Sequence, residues 1–244
     1  MEDDFLAYCD GKNVETLREH VDTMIKIYVE LFKNRNFSKI VSEKFNIPLD
    51  VIEEAIKVTL VLHDIGKVFY QDRIRVGKGA AFHEYYSILV LDSLEHSIKN
   101  LEKIFSAIKM SIIMHHMSLR DPLTITKNIS GYAEYYKAPL QVFLNEELSN
   151  GISNFLENYG ITINFQEKVL KLSWASKMLS EILNDIRNIY PLSLRFTRVL
   201  IVTDNYAAAL NRGGSPRKHV FLRDLPNWNS VYEVKERLRK WLIE

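Results

Sequence analysis

Apolar residues recur every three or four positions along most of this 244-residue chain, which is the spacing of one buried face of an α-helix. One such stripe is formed by Leu17, Val21, Met24, Tyr28 and Leu31. Glycine and proline, which break helices and form turns, number only nine and six, and this is roughly half of their average share. The sequence therefore predicts an all-α fold, because no convincing run shows the alternating pattern of a strand.

The helical spacing predicts helices over 14–34, 50–66, 82–98, 101–118, 138–158, 165–189, 192–211 and 230–243. Two of these helices begin with residues that have the spacing of a capping box, Asp50 with Glu53 and Ser230 with Glu233. A chain of this length can bury one large core, so we expect a single domain over residues 1–244. Its core spans about 14–211, and the helix at about 230–243 is added at the C-terminal end.

The charge balance excludes some classes of protein. Charged residues make up 26% of the chain and the net charge is only +1. The chain therefore lacks the basic excess of a protein that coats nucleic acid, and any polyanion must be bound by a local group of basic residues. The single cysteine, Cys9, cannot form a disulfide within the chain. The acidic start MEDDFLAYCD does not resemble a signal peptide, and no apolar run reaches the roughly 18 residues of a membrane span. We expect a cytoplasmic protein without a membrane partner.

One histidine and one aspartate stand together at the end of a strongly apolar helix. In the segment VTLVLHDIGK, the apolar run of residues 58–62 leads directly into His63 and Asp64. Burying an ionised carboxylate is costly unless the group is paired or coordinates a metal, and a metal would satisfy the imidazole and the carboxylate together. The alternative is a hydrogen-bonded histidine and aspartate pair in the core.

Further polar residues lie where the helical pattern predicts burial. His115 and His116 continue an apolar stripe, His20 flanks another, and His83 opens a helix after a glycine-containing loop. Asp204 lies on a helix that is apolar before it and alanine-rich after it. Each residue alone is explained by a hydrogen bond in the core. Together with His63 and Asp64, they favour a shared metal site.

The order and spacing of these residues resemble a known superfamily. The series His20, His63–Asp64, His83, His115–His116 and Asp204 resembles the HD superfamily of metal-dependent phosphohydrolases, in its binuclear branch, and HDIGK resembles the central motif of that superfamily. FHEYYS at 82–87, IIMHH at 112–116 and TDNYAAA at 203–209 most resemble the standalone HD nuclease of type I CRISPR interference.

The resemblance covers about 20–210 and implies an HD-domain helical bundle. It implies a metal-dependent nuclease of antiviral defence, an endonuclease or exonuclease that hydrolyses phosphodiester bonds of single-stranded DNA or RNA. It also implies two partners, a separate helicase subunit and an RNA-guided CRISPR complex. The chain itself lacks the phosphate-binding loop G-x-x-x-x-G-K-[ST] of an ATP-driven motor.

The resemblance further implies two divalent metal ions. One ion would be bound by His20, His63, Asp64 and Asp204, and the other by Asp64, His83, His115 and His116, with Asp64 shared. Two such ions lower the pKa of a water between them and neutralise charge on the phosphate. Because most of these ligands are imidazoles, manganese, iron, cobalt, nickel or zinc is favoured over magnesium. Magnesium remains a possible metal.

Several cations are candidates for contacts with the phosphate or with the substrate. Lys67 follows the metal motif, and Arg195 and Arg198 precede Asp204, so these three and Asp64 are the predicted catalytic residues. Exposure of the lysine and surface ion pairs of the arginines are the alternatives. The basic loops 71–80 and 211–219 supply the predicted substrate-binding residues, which could equally be solvated. These are Arg73, Arg75, Lys78, Arg212, Arg217 and Lys218.

Aromatic residues near the motifs could stack on the bases of a single strand, although such residues are more often part of the core. They are Tyr70, Phe82, Tyr85 and Tyr206. Two other functions stay open. One is an HD-type phosphohydrolase of nucleotides or cyclic dinucleotides, although Met117 and Ser118 follow the histidine pair where the cyclic-dinucleotide branch has an acidic residue. The other is a metal-binding module without catalysis.

Overall fold

The computed structural model describes residues 5–94, 104–116, 127–162, 165, 168–184 and 186–212. The helices are α1 (Leu17–Leu31), α2 (Phe37–Phe45), α3 (Leu49–Leu62), α4 (Gln71–Arg75), α5 (His83–Asp92), α6 (Phe105–Met114), α7 (Ile129–Tyr135), α8 (Glu146–Glu157), α9 (Leu172–Asn184) and α10 (Ile186–Asn211). Short 3-10 helices span Lys33–Arg35 and Ile65–Tyr70. The strands are β1 (Leu6–Cys9), β2 (Val14–Thr16), β3 (Gln141–Leu144) and β4 (Lys168–Lys171).

The predominantly helical architecture confirms the predicted fold class at that level. The long helix α10 packs against α1, α3 and α6, and α3 also packs against α1 and α6. Helix α5 packs against α6 and against the 3-10 helix Ile65–Tyr70. In the described part of the chain, no helix has the length and apolar character needed to cross a membrane.

The second half of α3 explains the apolar run that precedes His63. Val58, Leu60, Val61 and Leu62 are at most 1% exposed, and burying one such side chain contributes about 1.5–3 kcal/mol. Neighbouring helices cover α3 on several sides, so its C-terminal end lies inside the protein. The two residues after α3 therefore start from a buried position.

Two antiparallel strand pairs were not predicted. In the first, β1 pairs with β2, so residues 14–16 are a strand and α1 begins only at Leu17. In the second, β3 pairs with β4 in the register Gln141↔Lys171 to Leu144↔Lys168, which interrupts the helices predicted over 138–158 and 165–189. Strands of three or four residues are too short to show a clear alternation, and the partners β3 and β4 are separated in the sequence by α8.

The helix starts also differ from the predictions. A capping box opens α1, because the Glu19 amide donates to Thr16 Oγ1 at 3.1 Å and the Thr16 amide donates to Glu19 Oε2 at 2.8 Å. The predicted box at Asp50 is wrong, because α3 begins one residue earlier, after Pro48, without a side-chain cap. Helix α10 continues through Pro191, where a helix boundary was predicted. The helix at 230–243 and its predicted cap lie outside the described residues.

Candidate metal centre

Five elements bring the seven predicted metal ligands to one place. His20 lies on α1, His63 and Asp64 directly follow α3, and His83 is the first residue of α5. The other three ligands are His115 and His116, which follow α6, and Asp204 on α10. These segments are distant in the sequence, so only the packing of the helices brings their side chains together.

Asp64 lies in the middle of the cluster. Its Oδ1 is 2.7 Å from His83 Nε2, and its Oδ2 is 3.4 Å from His63 Nε2 and 3.9 Å from His20 Nε2. Asp204 Oδ1 is 3.1 Å from His20 Nε2 on the opposite side. One carboxylate therefore contacts rings from three different elements.

A glycine allows α5 to approach this carboxylate. A Cβ added to Gly66 would lie 2.0 Å from the carbonyl oxygen of His83, so no larger residue fits without displacing α5. Ser87 fixes the same approach, because its hydroxyl donates to the His63 carbonyl at 2.8 Å and accepts from the Gly66 amide at 2.9 Å. Phe82 adopts the left-handed conformation, with φ of 68°, and this strained residue directly precedes His83. The glycine of the HDIGK motif thus has a packing role.

The Nδ1 atoms of three histidines face backbone carbonyl oxygens. His63 Nδ1 is 2.8 Å from Leu60 O, His83 Nδ1 is 2.6 Å from Ala80 O, and His115 Nδ1 contacts Ile112 O. A carbonyl oxygen only accepts hydrogen bonds, so the hydrogen of each neutral ring is on Nδ1 and the lone pair is on Nε2. This is the arrangement that metal-binding histidines use.

The Nε2 atoms of the buried cluster histidines face carboxylate oxygens or lack a hydrogen-bond partner among the described residues. His83 Nε2 and His20 Nε2 face carboxylate oxygens at 2.7 and 3.1 Å, and two acceptors at such distances need a proton or a metal ion between them. His115 Nε2 is buried and has no hydrogen-bond partner among the described residues. Buried polar atoms without a partner are rare in folded proteins. The donor set therefore fits a metal.

The charges of the site agree with this fit. Burial lowers the pKa of His115, and the neighbouring rings of His63 and His83 add to the effect, so that it falls to about 3 and the ring stays neutral. Burial alone would raise the pKa of Asp64, but His63 and Lys67 outweigh it and hold that pKa well below its usual range. Burial would likewise raise the pKa of Asp204, and His20 reverses this effect.

The ligand atoms form two groups. Those of His83, His115 and His116 lie within 4.8 Å of one another, and those of His20, His63 and Asp64 do so as well. Each of these groups could hold a metal ion. Apart from Asp204, which is in neither group, the division corresponds to the two ligand sets that the resemblance implies, and the contact of Asp64 with His83 connects the groups.

Glu15 is a residue of this site that the sequence did not indicate. It is 1% exposed, and its Oε1 is 2.7 Å from His20 Nδ1. Its Oε2 accepts from Nε and Nη2 of Arg212, each at 2.6 Å. Although burial lowers the pKa of His20, hydrogen bonds from the ring to Asp204 and Glu15 raise it to about 9. Glu15 faces inward on β2 while Val14 is 60% exposed, the reverse of the usual pattern, so no sequence signal identifies it.

The predicted catalytic cations occupy different environments. Lys67 Nζ is 2.5 Å from Asp64 Oδ2, and the Lys67 side chain is 15% exposed. Arg198 and Arg195 precede Asp204 on α10, by about 9 and 14 Å along the helix axis. Within the described part of the chain, neither arginine forms a hydrogen bond or ion pair with the seven ligands. Lys67 is thus bonded to the site, and the two arginines are not.

Two of the predicted substrate-binding cations contact groups of the protein itself. Arg212 pairs with Glu15 and stacks on Tyr8, with its guanidinium carbon 4.0 Å from the ring centre. Arg73 Nη1 donates to the carbonyl oxygen of Lys137. Arg75 lines a separate groove beside Phe5 and Asn154.

The other residues considered for substrate contacts lie in different environments. Lys78 is exposed in the loop before α5, whereas Arg217 and Lys218 lie outside the described residues. The four aromatic residues considered for base stacking belong to the core, the alternative given for them, because each is at most 2% exposed. They are Tyr70, Phe82, Tyr85 and Tyr206.

No family model matches the chain, and a search of curated proteins finds no match either. The imidazole and carboxylate groups of the cluster could hold a metal ion.

Proposed function

We propose that this chain is a binuclear metal-dependent phosphodiesterase of the HD type that hydrolyses single-stranded nucleic acid. The observation that carries the proposal is that carbonyl oxygens hold the Nδ1 atoms of His63, His83 and His115, while the Nε2 atoms of His63 and His83 face Asp64 and that of His115 is buried without a partner among the described residues. This arrangement favours the tautomer whose Nε2 lone pair is available, so a metal ion in the cluster would be bound by imidazole nitrogens together with the Asp64 carboxylate.

The residues divide into two ligand sets in this proposal. His20, His63 and Asp204 would hold one ion, His83, His115 and His116 would hold the other, and Asp64 would be shared. Bound transition metals such as manganese, iron, cobalt, nickel or zinc supply Lewis acidity, which activates water near neutral pH and neutralises phosphate charge.

The exposure of the ligands indicates where a phosphate enters. His20, His63 and Asp64 have side chains at most 3% exposed, whereas the Asp204 and Lys67 side chains are 25% and 15% exposed. The site therefore opens on the side of Asp204 and Lys67. The Lys67 ammonium is held by Asp64 at this opening, where it can bind a non-bridging phosphate oxygen and orient the ester.

A second candidate function has an observation in its favour. Arg73 and Arg212, two of the cations predicted to grip a polyanion, are bound to protein groups. A site with few available basic residues around it, among those that the structure describes, suits a small phosphate ester such as a nucleotide or a cyclic dinucleotide. The two candidates share the metal chemistry and differ in the size of the substrate.

One assay separates these functions. Metal-reconstituted protein is incubated in parallel with single-stranded DNA, single-stranded RNA, nucleoside triphosphates and cyclic dinucleotides, and the Asp64→Asn variant is the matched control. The proposal expects metal-dependent cutting of the single strands, which the variant lacks. Hydrolysis of the small substrates alone would support the second candidate, and no hydrolysis of any substrate would leave only a metal-binding module.

A helicase and an RNA-guided CRISPR complex belong to the proposal as partners that expose a single strand. Opening duplex DNA requires about 1.4 kcal/mol per base-pair step, and the sequence has no ATP-driven motor motif. The protein alone should therefore cut single strands and the arms of a forked duplex and leave a blunt duplex intact. Rapid cutting of the blunt duplex without helicase and ATP would contradict this part of the proposal.

A further inference from the structure

The ring of His20 is held differently from the other buried histidines of the metal centre. The Nδ1 atoms of His63, His83 and His115 each face the carbonyl oxygen of a residue three positions earlier in the chain, so the local turn fixes these rings. His20 Nδ1 instead faces the Oε1 atom of Glu15 at 2.7 Å. The orientation of His20 therefore depends on a side chain that must itself be held in place.

Two residues at the C-terminal end of α10 hold the Glu15 carboxylate. Asn211 Nδ2 donates to Oε1 at 2.6 Å, and Nε and Nη2 of Arg212 each donate to Oε2 at 2.6 Å. Glu15 is 1% exposed, and a buried carboxylate is stable only where such partners replace water. Without Arg212, Oε2 would have no hydrogen-bond partner among the described residues, so the carboxylate would turn away from His20.

Packing fixes the two holding residues in turn. The guanidinium carbon of Arg212 lies 4.0 Å from the centre of the Tyr8 ring, and Tyr8 is paired with Glu15 across β1 and β2. Thr23 Oγ1 on α1 donates to Asn211 Oδ1 at 3.1 Å, which directs the NH₂ group of Asn211 toward Glu15. The carboxylate is therefore oriented before any ligand binds.

Helix α10 thus acts on both nitrogens of the His20 ring. Asp204 Oδ1, on the same helix, is 3.1 Å from His20 Nε2, and Asn211 follows about 10 Å further along the helix axis. One helix supplies a predicted metal ligand directly and, through Glu15, orients a second. The ligand group that contains His83 has no described contact with the end of α10.

We propose that Asn211 and Arg212 are positioning residues of the metal centre, which act through Glu15 to hold His20 as a ligand. This inference rests on the proposed function, since it concerns the ion that His20 would bind. It gives Arg212 a role other than the substrate contact predicted from the sequence. A substrate contact would change the binding of nucleic acid, whereas a positioning role changes the binding of metal before any substrate is present.

Calorimetric titration of the metal-free full chain with Zn²⁺ tests this role without a substrate. Arg212→Ala should bind one of two ions about 10-fold more weakly and the other with unchanged affinity, because loss of a partner that orients a metal-binding histidine typically weakens binding about 10- to 100-fold. Adding Asn211→Ala should bring the loss at the same ion to about 100-fold. Arg35→Ala is the matched control, because Arg35 is exposed on the 3-10 helix Lys33–Arg35, and it should bind both ions like the wild type.

A double-mutant cycle shows whether Arg212 acts through Glu15. In a Glu15→Gln background, Arg212→Ala should cause no further loss of metal affinity, because in either orientation of the glutamine amide the arginine no longer supports the contact with His20. A general effect on stability would instead add to the loss caused by Glu15→Gln. Additive losses would therefore overturn the proposal.

Other results would also contradict the positioning role. Unchanged affinity for both ions in Arg212→Ala, or equal weakening of both, would overturn it. Weaker binding of a labelled single-stranded DNA in chelator, with both metal affinities intact, would overturn it too and would support a substrate contact. If Arg212→Ala fails to fold, Arg212→Lys keeps a cation beside Glu15 and should weaken the same single ion by a smaller factor. Absence of metal binding by the wild type would instead contradict the proposed function.

Discussion

Replacing Glu15 by glutamine should weaken one metal site and leave the other unchanged. The Glu15 carboxylate accepts from His20 Nδ1 at 2.7 Å on one oxygen and from Arg212 on the other. A glutamine amide has only one oxygen, so either the histidine or the arginine would face an NH₂ group. The ring of His20 would then lose its fixed tautomer or its fixed orientation.

The magnitude follows from the kind of contact that is lost. Loss of a hydrogen bond to the far nitrogen of a metal-binding histidine typically weakens metal binding about 10- to 100-fold, which corresponds to about 1.4–2.7 kcal/mol. Glu15 is 1% exposed, so solvent does not screen its interaction with the ring. The affinity should decrease for the ion held by His20, since the described contacts of Glu15 include His20 and neither His83 nor His115.

Calorimetric titration of metal-free protein with Mn²⁺ or Zn²⁺ measures this effect. The matched control is Glu19→Gln, which removes a nearby exposed carboxylate from the capping box of α1 without touching the cluster. Unchanged affinity in Glu15→Gln would refute the argument. An equal loss in Glu19→Gln would refute it too, because the effect would then reflect the stability of α1 and not the position of His20.

Three further predictions concern the cluster and its scaffold. Asp64→Asn should reduce hydrolysis of bis-p-nitrophenyl phosphate at least about 1000-fold, because it removes the shared charged ligand; a mild reduction would exclude the shared role. Gly66→Ala should displace α5 and lower metal content, measured by elemental analysis, since its Cβ has no space beside His83; full metal content would contradict this close approach. Thr16→Ala should lower the free energy of unfolding in urea by about 1 kcal/mol at unchanged metal content, and equal stability would show that the cap of α1 contributes nothing.

The sequence predicted the helical class and the polar residues that meet in the centre. The run of buried residues in α3 carries His63 and Asp64 inward, and the stripe of α6 does the same for His115, because helical periodicity determines which face is buried. A polar residue that continues an apolar stripe is therefore identifiable from the sequence alone.

Contacts between distant segments could not be predicted in this way. Glu15 and Arg212 are 197 positions apart, and only the pairing of β1 with β2 turns Glu15 inward. The aromatic residues show the same limit, because periodicity does not reveal that Phe82 is covered while Tyr135 is exposed. Both outcomes depend on how helices and hairpins pack, which one sequence does not encode as a local pattern.

The number of metal ions bound per chain tests the central claim most directly. The protein is saturated with Mn²⁺, separated from free metal by gel filtration, and measured by elemental analysis against protein concentration. The two groups of ligands predict two ions for the wild type and one for His115→Ala, whose loss is confined to the group with His83 and His116. A wild-type protein that binds no ion, or that binds one ion and keeps it in His115→Ala, would contradict a binuclear centre.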